Sequence, residues 1–173
     1  LRQALGLQQA PPNQVLIGLA LFMSALVMQP TFTEVNETAL KPYLAGEMDT
    51  SVALEKASLP MRSFMLSNTR RDDLSAVMNM GRLSAPEQLS DIPTTAVVSA
   101  FVLSELKTAF IIAIKVYLPF LVIDIVIANV LLSMGMMVLP PVIISLPFKL
   151  MLFVLMDGWN LLVRSMAAGF GGV

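Results

Sequence analysis

The chain has 173 residues, of which 56% are hydrophobic and 13% charged, at a mean hydropathy of +0.76, whereas soluble domains carry roughly a quarter charged residues. A net charge of −1 provides no basic footprint for nucleic acid. The absence of cysteine and histidine removes disulfides, zinc–thiolate and histidine–metal sites, and every nucleophile–histidine arrangement.

In chain order, the sequence opens on Leu1 rather than methionine, which predicts a preceding segment such as a signal peptide or a first hydrophobic stretch. Pro11-Pro12-Asn13 then leads into an uncharged apolar helix over residues 14–28. That length falls short of the roughly 20 residues that span a bilayer, so a buried helix or partial span is as consistent as a full one.

Residues 29–107 hold ten of the twelve acidic residues. Two short strings there, Thr69-Arg70-Arg71-Asp72 and Ser84-Ala85-Pro86-Glu87, match the capping box, in which a hydroxyl and a carboxylate satisfy free N–H groups at a helix start. No strand alternation or hairpin dipeptide persists. The zone reads as several short helices with a polar face. An independently folding oligomerisation module is a second reading of the same residues.

Residues 109–156 contain only three charges, Lys115, Asp124 and Lys149. Gly135 and the Pro140-Pro141 pair disfavour one continuous helix. The expectation is a hydrophobic helical hairpin, with further breaks at Pro119 and Pro147. An isolated charge at a bilayer centre costs from about +2.5 to above +10 kcal/mol, so such groups should pair or line water. With the tip near Val138, Asp124 and Lys149 differ in depth by roughly 5 Å at 1.5 Å rise per residue, within reach of a lysine side chain. The pair can form within one chain or between subunits. It can fix helix register, belong to a conducting or moving part, or stay unpaired and snorkel. Lys115, one turn before Pro119, is expected to snorkel or face water.

Met134, Met136 and Met137 sit at the hairpin break. Methionine is unbranched, polarizable and adaptable, so a ring of them suits a closure around a narrow pore. The plainer reading is that 13 methionines are spread through an apolar chain. No phosphate-binding loop, nucleophile elbow, zinc helix or dinucleotide fingerprint occurs. Glu105 and Lys107 lie on a polar-to-apolar boundary without a partner cluster for acid–base work. The residues therefore point to an all-α membrane protein with buried charges, suited to transport or assembly, and not to an enzyme.

Longer strings add a resemblance. Ser104-Glu105-Leu106-Lys107-Thr108-Ala109-Phe110 resembles the SELKTAF motif of the FliP family, with Glu105 and Lys107 as its charged members. LPFLVID at 118–124, SMGMMVLPP at 133–141, SLPFKLMLFVL at 145–155, DGW at 157–159, PPNQVL at 11–16 and PMRSFML at 60–66 are also similar. The resemblance covers nearly the whole chain. It implies a single FliP-type domain over residues 1–173, all-α, with membrane-associated helical hairpins around a polar helical middle region, assembling into a helical multi-subunit pore. It further implies a core subunit of the flagellar type III export gate. About five copies would join FliQ and FliR, with FlhA and FlhB nearby, to pass unfolded axial proteins. The hairpins would pack between subunits, largely above the bilayer plane, on the periplasmic side of the bacterial inner membrane within the flagellar basal body. No cofactor or metal is implied.

By motif position, Met134, Met136 and Met137 fall in the loop of the family's methionine gasket, and Arg62, Asp124 and Lys149 match its charge network between adjacent subunits. Val138 stands where many relatives have a third adjacent methionine, and it is shorter and stiffer at χ1. Arg71 stands where relatives commonly carry Glu, so no salt bridge is carried over there. The alternatives are the equivalent injectisome subunit, and a proton-coupled transporter using Asp124 and Lys149.

Overall fold

A computed structural model describes residues 2–7, 9–83, 88–136 and 138–170. The chain is helical, with no strand among the described residues. The helices are α1 (Arg2–Leu5), α2 (Asn13–Val27), α3 (Gln29–Val35), α4 (Lys41–Leu44), α5 (Thr50–Ser67), α6 (Arg71–Met80), α7 (Thr94–Ser133), α8 (Pro141–Leu155) and α9 (Gly158–Ala168). A π-helical turn, Asn36–Leu40, joins α3 to α4, and a 3₁₀ turn, Leu89–Asp91, precedes α7. Met137 and the capping string Ser84-Ala85-Pro86-Glu87 lie outside the described residues.

The chain divides into two compact units. One takes in Leu1–Phe22 and Ala109–Ala168, the other Met23–Thr108 and Gly169–Val173.

In the first unit the expected hairpin forms. Gly135 adopts a left-handed backbone, φ +72°. This lets the Met136 N–H reach the Leu131 carbonyl at 3.0 Å and the Gly135 N–H reach Leu132 at 3.0 Å. That double bond pattern closes α7 by satisfying carbonyls its end would otherwise leave bare. Pro141 then opens α8, at a first-turn position where its missing N–H costs nothing. The expected breaks at Pro119 and Pro147 do not occur, because α7 and α8 run through them. Each proline removes one backbone bond, but the apolar helix on either side has no competing polar conformation to fall into.

The core of this unit joins Ala4 and Leu5 of α1 to Phe120 of α7 and Phe153 of α8, with Leu7, Val116, Leu152 and Leu162 against them. The Phe153 ring meets Trp159 edge-on, centroids 5.6 Å apart, and α8 and α9 meet at a bend of 63°.

In the second unit α3, the π turn, α4 and α5 pack together. A separate core joins Met78, Ile92, Ala96 and Val97, flanked by Met65, Leu66, Leu74 and Val77. The capping box expected at Thr69 is not formed. The Thr69 hydroxyl donates to the Met65 carbonyl at 2.6 Å, closing α5 instead, and α6 starts after Arg70, one residue too late for the box. Carboxylate capping occurs elsewhere, where the Gln88 N–H donates to Asp91 Oδ2 at 3.0 Å around the 3₁₀ turn.

The boundary expected near residue 108 marks the drop in charge but not a helix end. α7 begins at Thr94, within the polar zone, and continues for 40 residues. Among the described residues it is the one single helix long and apolar enough to cross a membrane, and 6% of its most apolar stretch is buried. α2, like the 14–28 run it matches, is short by itself. It qualifies only together with the bent continuation Gln29–Leu44, as α8 does only together with α9. No residue of α2 is buried.

Candidate functional site

Ser145 and Lys149 are four residues apart on α8, so their side chains stack on one helix face. Asp124 on α7 meets them both. Lys149 Nζ donates to Asp124 Oδ2 at 2.6 Å, and Ser145 Oγ donates to Asp124 Oδ1 at 2.5 Å. Ser145 Oγ also lies 3.1 Å from the Val142 carbonyl. Lys149 is 2% exposed and the Asp124 side chain 25%. Both carboxylate oxygens are thus satisfied where water is scarce, which a buried ion pair requires. The pairing expected from depth alone is present, and it forms within one chain. Lys115 is exposed, as expected.

The methionine turn is open. Met134 is 66% exposed and Met136 42%, either side of Gly135. Met137, the third gasket candidate, lies outside the described residues.

Arg62 makes a different kind of contact from the one expected of a charge network. Its guanidinium donates to the carbonyls of Leu89 at 2.8 Å, Ser90 at 3.2 Å and Ile92, and to Thr94 Oγ1 at 3.1 Å. It staples the 3₁₀ turn and the start of α7 to α5. The planar fork with several N–H groups suits that task as lysine would not.

The SELKTAF string proves to be a clamp on α6. Ser104, Lys107 and Thr108 share a face of α7 at spacings of three and four. The Arg70 N–H donates to Ser104 Oγ at 3.1 Å, Arg70 Nη2 to Thr108 Oγ1 at 3.0 Å, and Lys107 Nζ to Asp73 Oδ1 at 3.3 Å. Glu105 is half-buried and joins none of these bonds. Reading the sequence singled out Lys107 but missed Ser104, Thr108, Arg70 and Asp73, and likewise Ser145. The signal for Ser104 and Ser145 was their spacing of three and four residues from a lysine already noted, and Thr108 stands four residues from Ser104.

The FliP family model matches residues 1–166. This chain belongs to the FliP family. The Flagellar biosynthetic protein FliP of Bacillus subtilis (strain 168) is 53% identical over 169 residues, covering 98% of this chain and 76% of that protein. The protein of the same name from Caulobacter vibrioides is 51% identical over 176 residues, covering 99% and 66%. That from Cereibacter sphaeroides is 49% identical over 172 residues, covering 99% and 57%. The chain therefore spans less than two thirds of the latter two relatives. The resemblance first seen in short strings holds across the FliP family match, which takes in α1 to α8 and α9 up to residue 166.

Proposed function

We propose that this chain is a core subunit of the flagellar type III protein export gate, forming with FliQ- and FliR-type partners a pore for unfolded axial proteins. Family membership over residues 1–166 carries the reading. The relatives named above are all flagellar biosynthetic proteins, which favours the flagellar system over its injectisome counterpart. The apolar flanks of α2, α7 and α8 support it as well. A soluble monomer seldom leaves contiguous apolar surface beyond a few hundred Å² uncovered, so these helices need lipid or neighbouring subunits.

In this reading about five copies assemble in the bacterial inner membrane within the basal body, largely on its periplasmic side, near FlhA and FlhB. The subunit is a structural gate, not an enzyme. Met134, Met136 and Met137 serve as a deformable gasket. Asp124 and Lys149 hold the register of the hairpin and extend to the adjacent subunit. Arg62 joins that network only by releasing the loop carbonyls it now holds.

Native mass spectrometry of the chain, extracted in mild detergent after co-expression with its FliQ- and FliR-like partners, tests the assembly. A discrete complex with several copies of this chain is expected. A monomer or dimer indifferent to both partners would sink the gate and favour a proton-coupled transporter. For the gasket, Met134→Ala with Met136→Ala should leak small solutes across the membrane. Unchanged permeability would remove that role.

A further inference from the structure

A cavity opens where α7, α8 and α9 meet. It measures about 60 Å³, several times the roughly 10–15 Å³ that admits one water. Val116 and Phe120 of α7, Phe153 of α8, and Leu161 and Leu162 of α9 form its walls. Among the described residues that line it, Lys115 alone carries a charge. Gly158 lets α9 come down onto α8 here, since a Cβ at residue 158 would stand 2.2 Å from Phe153 Cε2. The Phe153 ring is in turn flanked by Phe120 and Trp159, with centroids 6.5 Å and 5.6 Å away. Apolar walls with no atoms opposite them forfeit dispersion contacts, and a cavity of that kind stays dry. A hydrocarbon chain suits such a space, and a polar solute does not.

Lys115 narrows the choice of hydrocarbon. It is exposed, and among the described residues it makes no ion pair. The two acidic residues of this unit are engaged elsewhere. Asp124 holds Ser145 and Lys149, and Asp157 accepts from Asn160 Nδ2 at 3.0 Å. A second cation, Arg164, stands one turn on from Leu161 along α9 and likewise makes no ion pair among the described residues. The charge that complements this end of the hairpin is therefore negative. A zwitterionic head would bring its own cation to a place where both carboxylates are already taken.

Depth agrees with a headgroup at Lys115. From Lys115 to the end of α7 at Ser133 the helix rises about 27 Å at 1.5 Å per residue, close to the roughly 30 Å of hydrocarbon in a bilayer. The 15 residues of α8 return about 22 Å of that. With the hairpin tip at one face of the bilayer, the cavity lies beside the headgroups of the other. Trp159, at the bend into α9, is of a residue type enriched at that level.

We propose that this cavity is a phospholipid site, in which one acyl chain enters between α7 and α9 and the phosphate of an anionic headgroup pairs with Lys115. The inference rests on the hairpin lying in a bilayer and not on the export reading.

Photolabelling of the full chain tests it. The chain is reconstituted in phosphatidylcholine nanodiscs that hold a trace of phosphatidylglycerol with a diazirine at the end of one acyl chain, and adducts are mapped by peptide mass spectrometry. They should concentrate on Val116, Leu161 and Leu162, above the level on α2, no residue of which is buried. Unlabelled phosphatidylglycerol should compete them away, and the same amount of added phosphatidylcholine should not. Lys115→Gln should lower labelling of the cavity about fivefold, the factor that one cation beside an anionic headgroup contributes, and leave α2 unchanged. Unchanged labelling in a Lys115→Gln chain of normal helicity would overturn the proposal. The parent chain decides without any variant. Adducts spread evenly over α2, α7 and α8 would mean bulk lipid only, and equal competition by both lipids would mean a crevice blind to the headgroup. Either result overturns the site, as does a cavity free of adducts because a second copy of the chain covers it.

Discussion

Lys149 is 2% exposed in an apolar hairpin, so its charge has to be met where it stands. Asp124 does so, and Ser145 fixes the carboxylate's other oxygen. Asp124→Asn should cost about 3–5 kcal/mol, because it leaves the ammonium uncompensated. Replacing both charges, Asp124→Leu with Lys149→Met, should recover most of that loss, since a well-packed apolar pair often matches a buried ion pair. Denaturant unfolding in detergent, followed by circular dichroism, compares the two. A double variant as unstable as the single one would mean that the pair does more than neutralise itself. Ser145→Ala should cost about 1.5–3 kcal/mol, the range for a hydrogen bond to a charged group. Helix rise alone placed Asp124 and Lys149 at reachable depths in the sequence. Ser145 went unseen because a serine in an apolar helix usually bonds its own backbone, and only its spacing of four residues from Lys149 marks it as one that also serves a carboxylate.

At the scale of elements, turn chemistry was more legible than helix ends. Gly135 and the proline pair announced the hairpin tip, and the backbone there needs both. Gly135→Ala should destabilise the chain by about 1 kcal/mol, the cost of a side chain in the left-handed region, with faster hydrogen exchange confined to the amides of the turn. The lone prolines misled, because a proline in an apolar helix forfeits a single bond while its neighbours keep theirs. Thr69 misled for another reason: the same hydroxyl can end one helix or begin the next, and here it ends α5. The clamp between α6 and α7 joins residues more than thirty apart, which no local pattern shows. Ser104→Ala should free the Arg70 N–H and speed exchange at the start of α6, while α8 stays unchanged. Equal exchange in parent and variant would show that Lys107 and Asp73 suffice to hold α6.

The whole molecule is dominated by what it leaves uncovered. Composition alone put the chain among membrane proteins, and α7 agrees with that. The partners that cover the remaining apolar flanks are absent from one chain's sequence, since a face meant for lipid and a face meant for another helix have the same composition. In membranes from cells making the chain, an alkaline carbonate wash should leave it in the pellet, and detergent should release it. Release by carbonate alone would mean that no helix of this chain crosses the bilayer.

The length of α7 has a consequence of its own. Forty residues at 1.5 Å each make a rod of about 60 Å, twice the roughly 30 Å of hydrocarbon in a bilayer. An upright α7 can therefore hide no more than half of itself in lipid, and tilt gains little. The low-charge zone covers α7 from Ala109 onward, and the clamp residues Ser104, Lys107 and Thr108 fall just before it on the rod. The helix serves as a ruler, with Ala96 and Val97 at one end packed in a protein core and a longer apolar run at the other, and the clamp sits between them.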